Sequence, residues 1–297
     1  MRYLLLFALL LPVPAAAQWT WLPEQPLVPA LLADPLEPAS GVQKDVGSNR
    51  IEARVGVLRD LLRYDGRRFG LDGVAAGVGG QAVMQLQWRL LGQKSPWEFP
   101  WGFRKQVDFP LETGDYSFSL YATAARRAGP VDLHVRLHIV HVSAHLGDGR
   151  YDRATDTWRD DRAPIDYSRN YLQFALDAEH RATGLRAYVA PAIMGYHSPP
   201  GDEPVPKGFL QAGAEWRAHN AGQLHPFAAA DVRTFPRLSG TDARTGTSLV
   251  AGVRIGAWDR RAIELRVARY AGASWRGQYY GLPEHTWSLG FRIRFDD

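Results

Sequence analysis

From about residue 50 onward, apolar and polar side chains alternate with a period of two, the spacing of a β-strand whose two faces meet unlike surroundings. In Gln81 to Leu90, the residues Ala82, Met84, Leu86, Trp88 and Leu90 share one face, and Gln81, Gln85, Gln87 and Arg89 share the other. Asp115 to Ala125 repeats the pattern, with Tyr116, Phe118, Leu120, Ala122 and Ala124 opposing Ser117, Ser119, Tyr121 and Thr123. It returns in Leu172–Glu179, Leu210–Arg217, Ser248–Ile255, Ile263–Val267 and Trp287–Phe295, and more weakly in Ile51–Val57, Leu185–Ile193 and Phe227–Arg233. With Val131–His145 and Phe69–Val78, the pattern predicts roughly twelve strands. Turn signals separate several of them: Arg127-Ala128-Gly129-Pro130, Thr183-Gly184 and Asp259-Arg260.

Two architectures bury such strands. A soluble β-sandwich presses the apolar faces together, whereas a transmembrane barrel turns them to lipid and lines its lumen with the polar ones. The polar faces carry Arg54, Arg89, Arg136, Arg186, Arg217, Arg233, Arg254, Arg266 and Arg292 together with Asp177, Glu179, Glu215, Asp231 and Glu264. Planar guanidiniums that satisfy several acceptors suit a narrow lumen. Aromatic residues gather where interfacial girdles belong: Trp97, Phe99, Trp101 and Phe103 alternate, and Tyr270, Trp275, Tyr279, Tyr280 and Trp287 surround the last turn. The apolar faces run about four to five residues, as a tilted spanning strand of 9 to 11 presents to lipid. The last strand, with Phe295 near its end, resembles the C-terminal recognition strand of outer-membrane barrels. The expected fold is therefore all-β: a single antiparallel transmembrane β-barrel of about 12 strands.

The N-terminus sets the compartment. Met1-Arg2, the apolar run Tyr3 to Leu11, Pro12 and Pro14, and Ala15-Ala16-Ala17 form the pattern of a cleaved Sec signal peptide over residues 1–17. The apolar run covers about half of the roughly 20 residues that a spanning helix needs. Residues 18–48 are rich in proline and apolar side chains and are expected to form an irregular periplasmic segment ahead of a barrel over 49–297. The chain's 297 residues contain no cysteine, which removes disulfides, thiolate metal sites and a cysteine nucleophile. Its formal charge is +4, yet only 4 of 35 cationic residues are lysine, so a nucleic-acid partner is not expected. The expected location is the bacterial outer membrane, with outer-membrane lipid and the barrel assembly machinery as partners, no cofactor and no metal.

Pro29-Ala30-Leu31-Leu32-Ala33-Asp34-Pro35-Leu36-Glu37-Pro38, Val142-Ser143-Ala144-His145-Leu146-Gly147-Asp148, Ile165-Asp166-Tyr167-Ser168-Arg169 and Pro226-Phe227-Ala228-Ala229-Ala230-Asp231 occur in this order. In these segments the chain resembles domain-of-unknown-function family 1207, whose members are expected to be exported outer-membrane barrels. The resemblance spans about residues 27 to 295 and implies fold and compartment. It implies no catalytic residues, and Gly149 stands where that family is expected to carry an acid.

One segment carries candidate chemistry. Val131 to Tyr151 holds His134, His138, His141 and His145, four of the chain's nine histidines. On a helix they would share a face suited to metal, but the β-branched alternation of Val131, Leu133, Val135, Leu137 and Ile139 favours a strand. As a strand, His134 and His138 point inward with Asp132 and Arg136, and His141, Ser143 and His145 either reach the lumen through a bulge at Ile139-Val140 or continue the outward face to the mouth. Both geometries gather His141, Ser143, His145 and Asp148 at one rim, and a serine, a base and an orienting acid are the ingredients of nucleophilic acyl transfer. The acidic residues of the following loop could alternatively hold calcium, and the Gly147-Asp148-Gly149 region could simply begin a turn. Three readings stand: a structural barrel or narrow small-solute passage with a charge-lined lumen, which leads; a rim hydrolase acting on envelope lipid or glycan; and a soluble periplasmic binding sandwich.

Overall fold

In the computed structural model the described residues are 18–68, 70–87, 89–90, 107–108, 110–147, 151–152, 155–158, 165, 167–198, 207–218, 222–235, 244–258, 261–280 and 282–294. Residues 1–17, the aromatic run Trp97–Phe103, Asp148 and Phe295 lie outside them.

The alternating segments pair antiparallel, each with the next in sequence. After β1 (Gln18–Trp21) and β2 (Ser40–Asp45) come β3 (Arg50–Arg68), β4 (Leu71–Gln87), β5 (Leu111–Ala128), β6 (Val131–Leu146), β7 (Tyr167–His180) and β8 (Leu185–Ser198). The series continues with β9 (Gly208–Arg217), β10 (Leu224–Phe235), β11 (Arg244–Ile255), β12 (Ala262–Ala273) and β13 (Pro283–Arg294). Strand β2 pairs with β13 on one edge and β3 on the other, so the 12 strands β2 to β13 close on themselves with no free sheet edge along the ring. Outward positions are large and apolar, among them Phe118, Leu120, Ile139, Leu172, Leu176, Ile193, Leu249, Leu265 and Leu289. The alternate, inward positions hold buried charge. A soluble sandwich would show the reverse, so the outward faces are the lipid-facing surface of an outer-membrane barrel.

The sequence expectation for residues 18–48 is corrected. Ser40–Asp45 is a wall strand, Gln18–Trp21 pairs with Leu62–Asp65 of β3, and the chain between them lies inside the barrel rather than ahead of it. Val28, Leu31, Leu32, Ala33, Asp34, Leu36, Glu37 and Ala39 are all buried. The prolines explain how. A segment short of N–H donors cannot join a ladder, but its carbonyls remain acceptors, and the lumen supplies donors from the wall. Arg186 Nη1 donates to Pro29 O at 2.9 Å, Arg266 Nη2 to Leu32 O at 2.9 Å, Arg54 Nη1 to Pro35 O at 2.7 Å and Gln81 Nε2 to Leu36 O at 3.0 Å. Two carboxylates of the segment return the interaction. Glu37 takes a two-point contact from Arg136, at 2.8 and 3.3 Å, and Asp34 accepts from Arg233 at 3.2 Å.

Short connections (residues 129–130 and 181–184 among them) lie at one end of the barrel, and longer ones, such as 88–110, 147–166 and 274–282, at the other. By the usual asymmetry of such barrels the longer connections mark the outer, extracellular end. The last of them folds inward: Gly277 N donates to Asp115 Oδ1 at 2.8 Å, and Gln278 Nε2 to Ala144 O at 2.9 Å and Ile165 O at 2.7 Å. The lumen is thus occupied by residues 22–39 from the short-turn end and by 274–280 from the other.

Tight packing inside the wall relies on a few small residues. Tyr188 lies over Gly213 and donates from its hydroxyl to Asp231 Oδ2 at 2.7 Å, so a Cβ at 213 would overlap the phenol. Gly213→Ala should lower stability by about 1–3 kcal/mol through this overpacking. The check is the temperature at which the compact band gives way to the unfolded one on detergent gels.

Candidate active site on the outer wall

Strand β6 keeps one phase along its whole length. Its pairing with β5 runs from Ala128↔Val131 to Thr113↔Leu146 without a register shift, so no bulge forms at Ile139-Val140. His134, Arg136, His138, Val140, Val142 and Ala144 point inward, while Leu137, Ile139, His141 and His145 are exposed on the outer wall and Ser143 is half-buried there. The β-branched residues on both faces hold the strand extended past the point where the outer face turns polar.

On β7, Asn170 stands directly across from His141, and Ser168 across from Ser143. The carboxamide meets the imidazole: His141 Nδ1 and Asn170 Oδ1 are 2.6 Å apart. A carbonyl oxygen only accepts, so this bond puts the proton on Nδ1 and leaves the Nε2 lone pair as a base. Ser143 is two residues along the same face, about 7 Å away at Cα, and no hydrogen bond of its hydroxyl to His141 forms here. Such contacts commonly tighten only when substrate binds. The pairing of β7 with β8 shifts register between Asn170 and Tyr171, a bulge of the kind that re-aims side chains beside functional sites.

The surroundings grade from polar to apolar. Tyr116 of β5 is across from Ser143 and packs against the ring of His145, centroids 5.7 Å apart. Toward the barrel's middle the outer wall continues as Phe118, Leu120, Ile139 and Leu172, each more than 40% exposed. Behind the site, on the lumen side, Val140, Val142, Ala144, Tyr167, Tyr171, Phe209 and Tyr280 form an apolar cluster, and Gln278 ties the backbone of β6 to Ile165. That packing makes the strand carrying His141 and Ser143 a rigid support. The outer wall is therefore polar at the site, and an apolar track runs from it toward the barrel's middle.

Of the rim candidates, the structure brings His141 and Ser143 onto one face and places His145 beside them against Tyr116. Asp148 lies outside the described residues. Asn170 was not among the residues singled out by sequence. Its signal was an amide on a face otherwise built from Leu172, Phe174 and Leu176.

The lumen candidates form a separate network. Arg186, fully buried, holds Asp177 Oδ2 at 2.8 Å, with Glu215 Oε2 3.6 Å away, and Asp177 also meets His134 Nδ1 at 2.6 Å. Arg217 bridges Glu215 at 2.6 Å and Glu179 at 3.8 Å, Arg254 pairs with Glu264 at 3.3 Å, and Arg54 with Glu52 at 2.5 Å. Arg233 reaches Asp34, Asp231 accepts from Tyr188 and Gln211, and Arg292 donates to Leu32 O. Arg89 falls in the short strand Arg89–Leu90, and its side chain lies outside those described. These charges bind one another and the internal segment.

No family model matches the chain, and no curated protein does. Among solved structures it is similar to outer membrane phospholipase A from Escherichia coli, at 14% identity over 88% of this chain and 93% of that one, with a TM-score of 0.47. It is also similar to the β domain of the Bordetella autotransporter BrkA, at 13% identity over 88% and 97% with a TM-score of 0.36. A third similar structure is outer-membrane-expressed OmpT of Vibrio cholerae, at 10% over 90% and 100% with a TM-score of 0.36. The closed ring, its apolar exterior and its charged interior define this chain as an outer-membrane β-barrel protein.

Proposed function

We propose that the barrel is a membrane-facing hydrolase that cleaves the carboxylic ester of an outer-leaflet lipid, with Ser143 as nucleophile, His141 as base and Asn170 as its orienting partner. The observation that carries this reading is the 2.6 Å contact between His141 Nδ1 and Asn170 Oδ1 on a lipid-facing wall, two residues from a serine.

The chemistry follows from the tautomer. Ser143 Oγ attacks the ester carbonyl as its proton passes to His141 Nε2, and Asn170 steadies the imidazolium through Nδ1. The tetrahedral intermediate collapses by breaking the bond to the alcohol oxygen, which takes the proton from Nε2, leaving an acyl-serine. Water, deprotonated by the same nitrogen, then releases the fatty acid and restores the serine. An acyl chain lying along Phe118, Leu120 and Ile139 would bring its ester to the depth of Ser143. An occupied lumen also favours this reading over a solute passage, and membership in family 1207 is compatible with it.

The test is to expose the purified, folded barrel in detergent to a fluorophosphonate and locate the adduct by mass spectrometry, alongside fatty-acid release from phospholipid mixed micelles. A single adduct on Ser143 with loss of release is expected. Release that survives complete labelling, or no release from any ester lipid, would refute the assignment.

A further inference from the structure

Between the internal segment and the wall formed by β2, β3, β11, β12 and β13 lies a small cavity of about 30 Å³, room for one small ion or a water or two. Its lining is unbalanced in charge. Arg54, Arg266, Arg276 and Arg292 all border it, and Glu284 is the one carboxylate among the described lining residues. Glu284 is already taken by Arg276 and by Ser274 Oγ, and Glu52, nearby, is shared by Arg54 and Arg276, each at 2.5 Å. Glu264, the acid on the same face of β12, is engaged by Arg254 at 3.3 Å and Arg294 at 3.1 Å.

Arg266 and Arg292 are therefore left with a shared carbonyl. Both donate to Leu32 O, at 2.9 and 3.3 Å, and neither forms an ion pair closer than 4 Å among the described residues. Arg266 is 5% exposed, and its Nε and Nη1 are buried with no hydrogen-bond partner. A guanidinium always carries its charge, so two of them side by side away from water call for an anion. Water in the cavity could satisfy the N–H groups but not the charge.

We propose that this cavity binds one monovalent anion of chloride size, held by Arg266 and Arg292. The ion offsets the repulsion between the two guanidiniums that anchor Leu32, the centre of the internal segment, and so couples halide binding to retention of that segment and to barrel stability.

The purified full-length barrel, exchanged into sodium gluconate, chloride or bromide at equal ionic strength, gives the test. Chloride and bromide should raise the unfolding midpoint by about 2 °C or more over gluconate. Arg266→Gln, which removes one of the paired charges, should erase that difference. Crystals of the unmodified protein grown with bromide should show an anomalous peak between Arg266 and Arg292, a measurement that stands whether or not the variant folds. Cavity density from water only, with no anomalous signal, would overturn the proposal even if the salts differed in their effect on the midpoint.

Discussion

Ser143→Ala and His141→Ala should each reduce ester hydrolysis by about 10³-fold or more, and the double variant should lose no more than either alone. The non-additivity follows from the roles. Without the serine there is no proton for the imidazole to take, and without the imidazole the hydroxyl stays a poor nucleophile, so either removal disables the same unit. Asn170→Ala should cost less, because it frees the imidazole's tautomer and orientation while leaving both reacting groups. None of the three side chains enters the lumen network, since His141 and Asn170 are exposed on the outer wall and Ser143 faces the same way. The unfolding free energy of each variant should therefore stay within about 0.5 kcal/mol of the parent's. Fatty-acid release from micelles and gel mobility, measured on the same preparations, check both halves. Loss of activity with equal loss of the compact band would mean that the residues support the fold instead.

The barrel was legible because a spanning strand writes its two environments into alternate residues. Leu172, Phe174 and Leu176 against Gln173 and Asp177 predict a two-faced strand, and the structure has Leu172, Phe174 and Leu176 outside and Gln173 and Asp177 within. The internal segment was not legible. Its prolines correctly exclude long strands and helices, but a donor-poor chain looks the same in the periplasm as in a lumen, and only the wall's surplus of guanidiniums, seen in three dimensions, distinguishes the two. Asp34 and Glu37 are 199 and 99 residues from the arginines they meet, and no local pattern reports such pairings. The active-site candidate was half legible. His141 and Ser143 share a face by period alone, whereas Asn170 joins them through the β6–β7 register, set by a connection of about 20 residues.

Glu37→Met should destabilise the barrel by about 3–5 kcal/mol, the range for breaking a buried pair and stranding one charge. Glu37 and Arg136 are 3% and 4% exposed, and the carboxylate accepts from both Nη1 and Nη2, so its loss leaves a buried guanidinium facing an apolar thioether. Adding Arg136→Leu should recover much of the loss, because a pair of well-packed apolar side chains needs neither desolvation nor partners. The recovery separates two ideas of what holds residues 22–39 inside. If charge pairing is the anchor, the single variant should expose the segment to a protease added from the short-turn side and the double variant should protect it again. If backbone bonds such as Arg54 to Pro35 O and Gln81 to Leu36 O are sufficient, both variants should resist cleavage while differing in unfolding midpoint. Equal midpoints for parent and single variant would show that the Arg136–Glu37 contact contributes nothing net. The segment's retention would then rest on the carbonyl contacts and on the burial of Val28, Leu32 and Leu36.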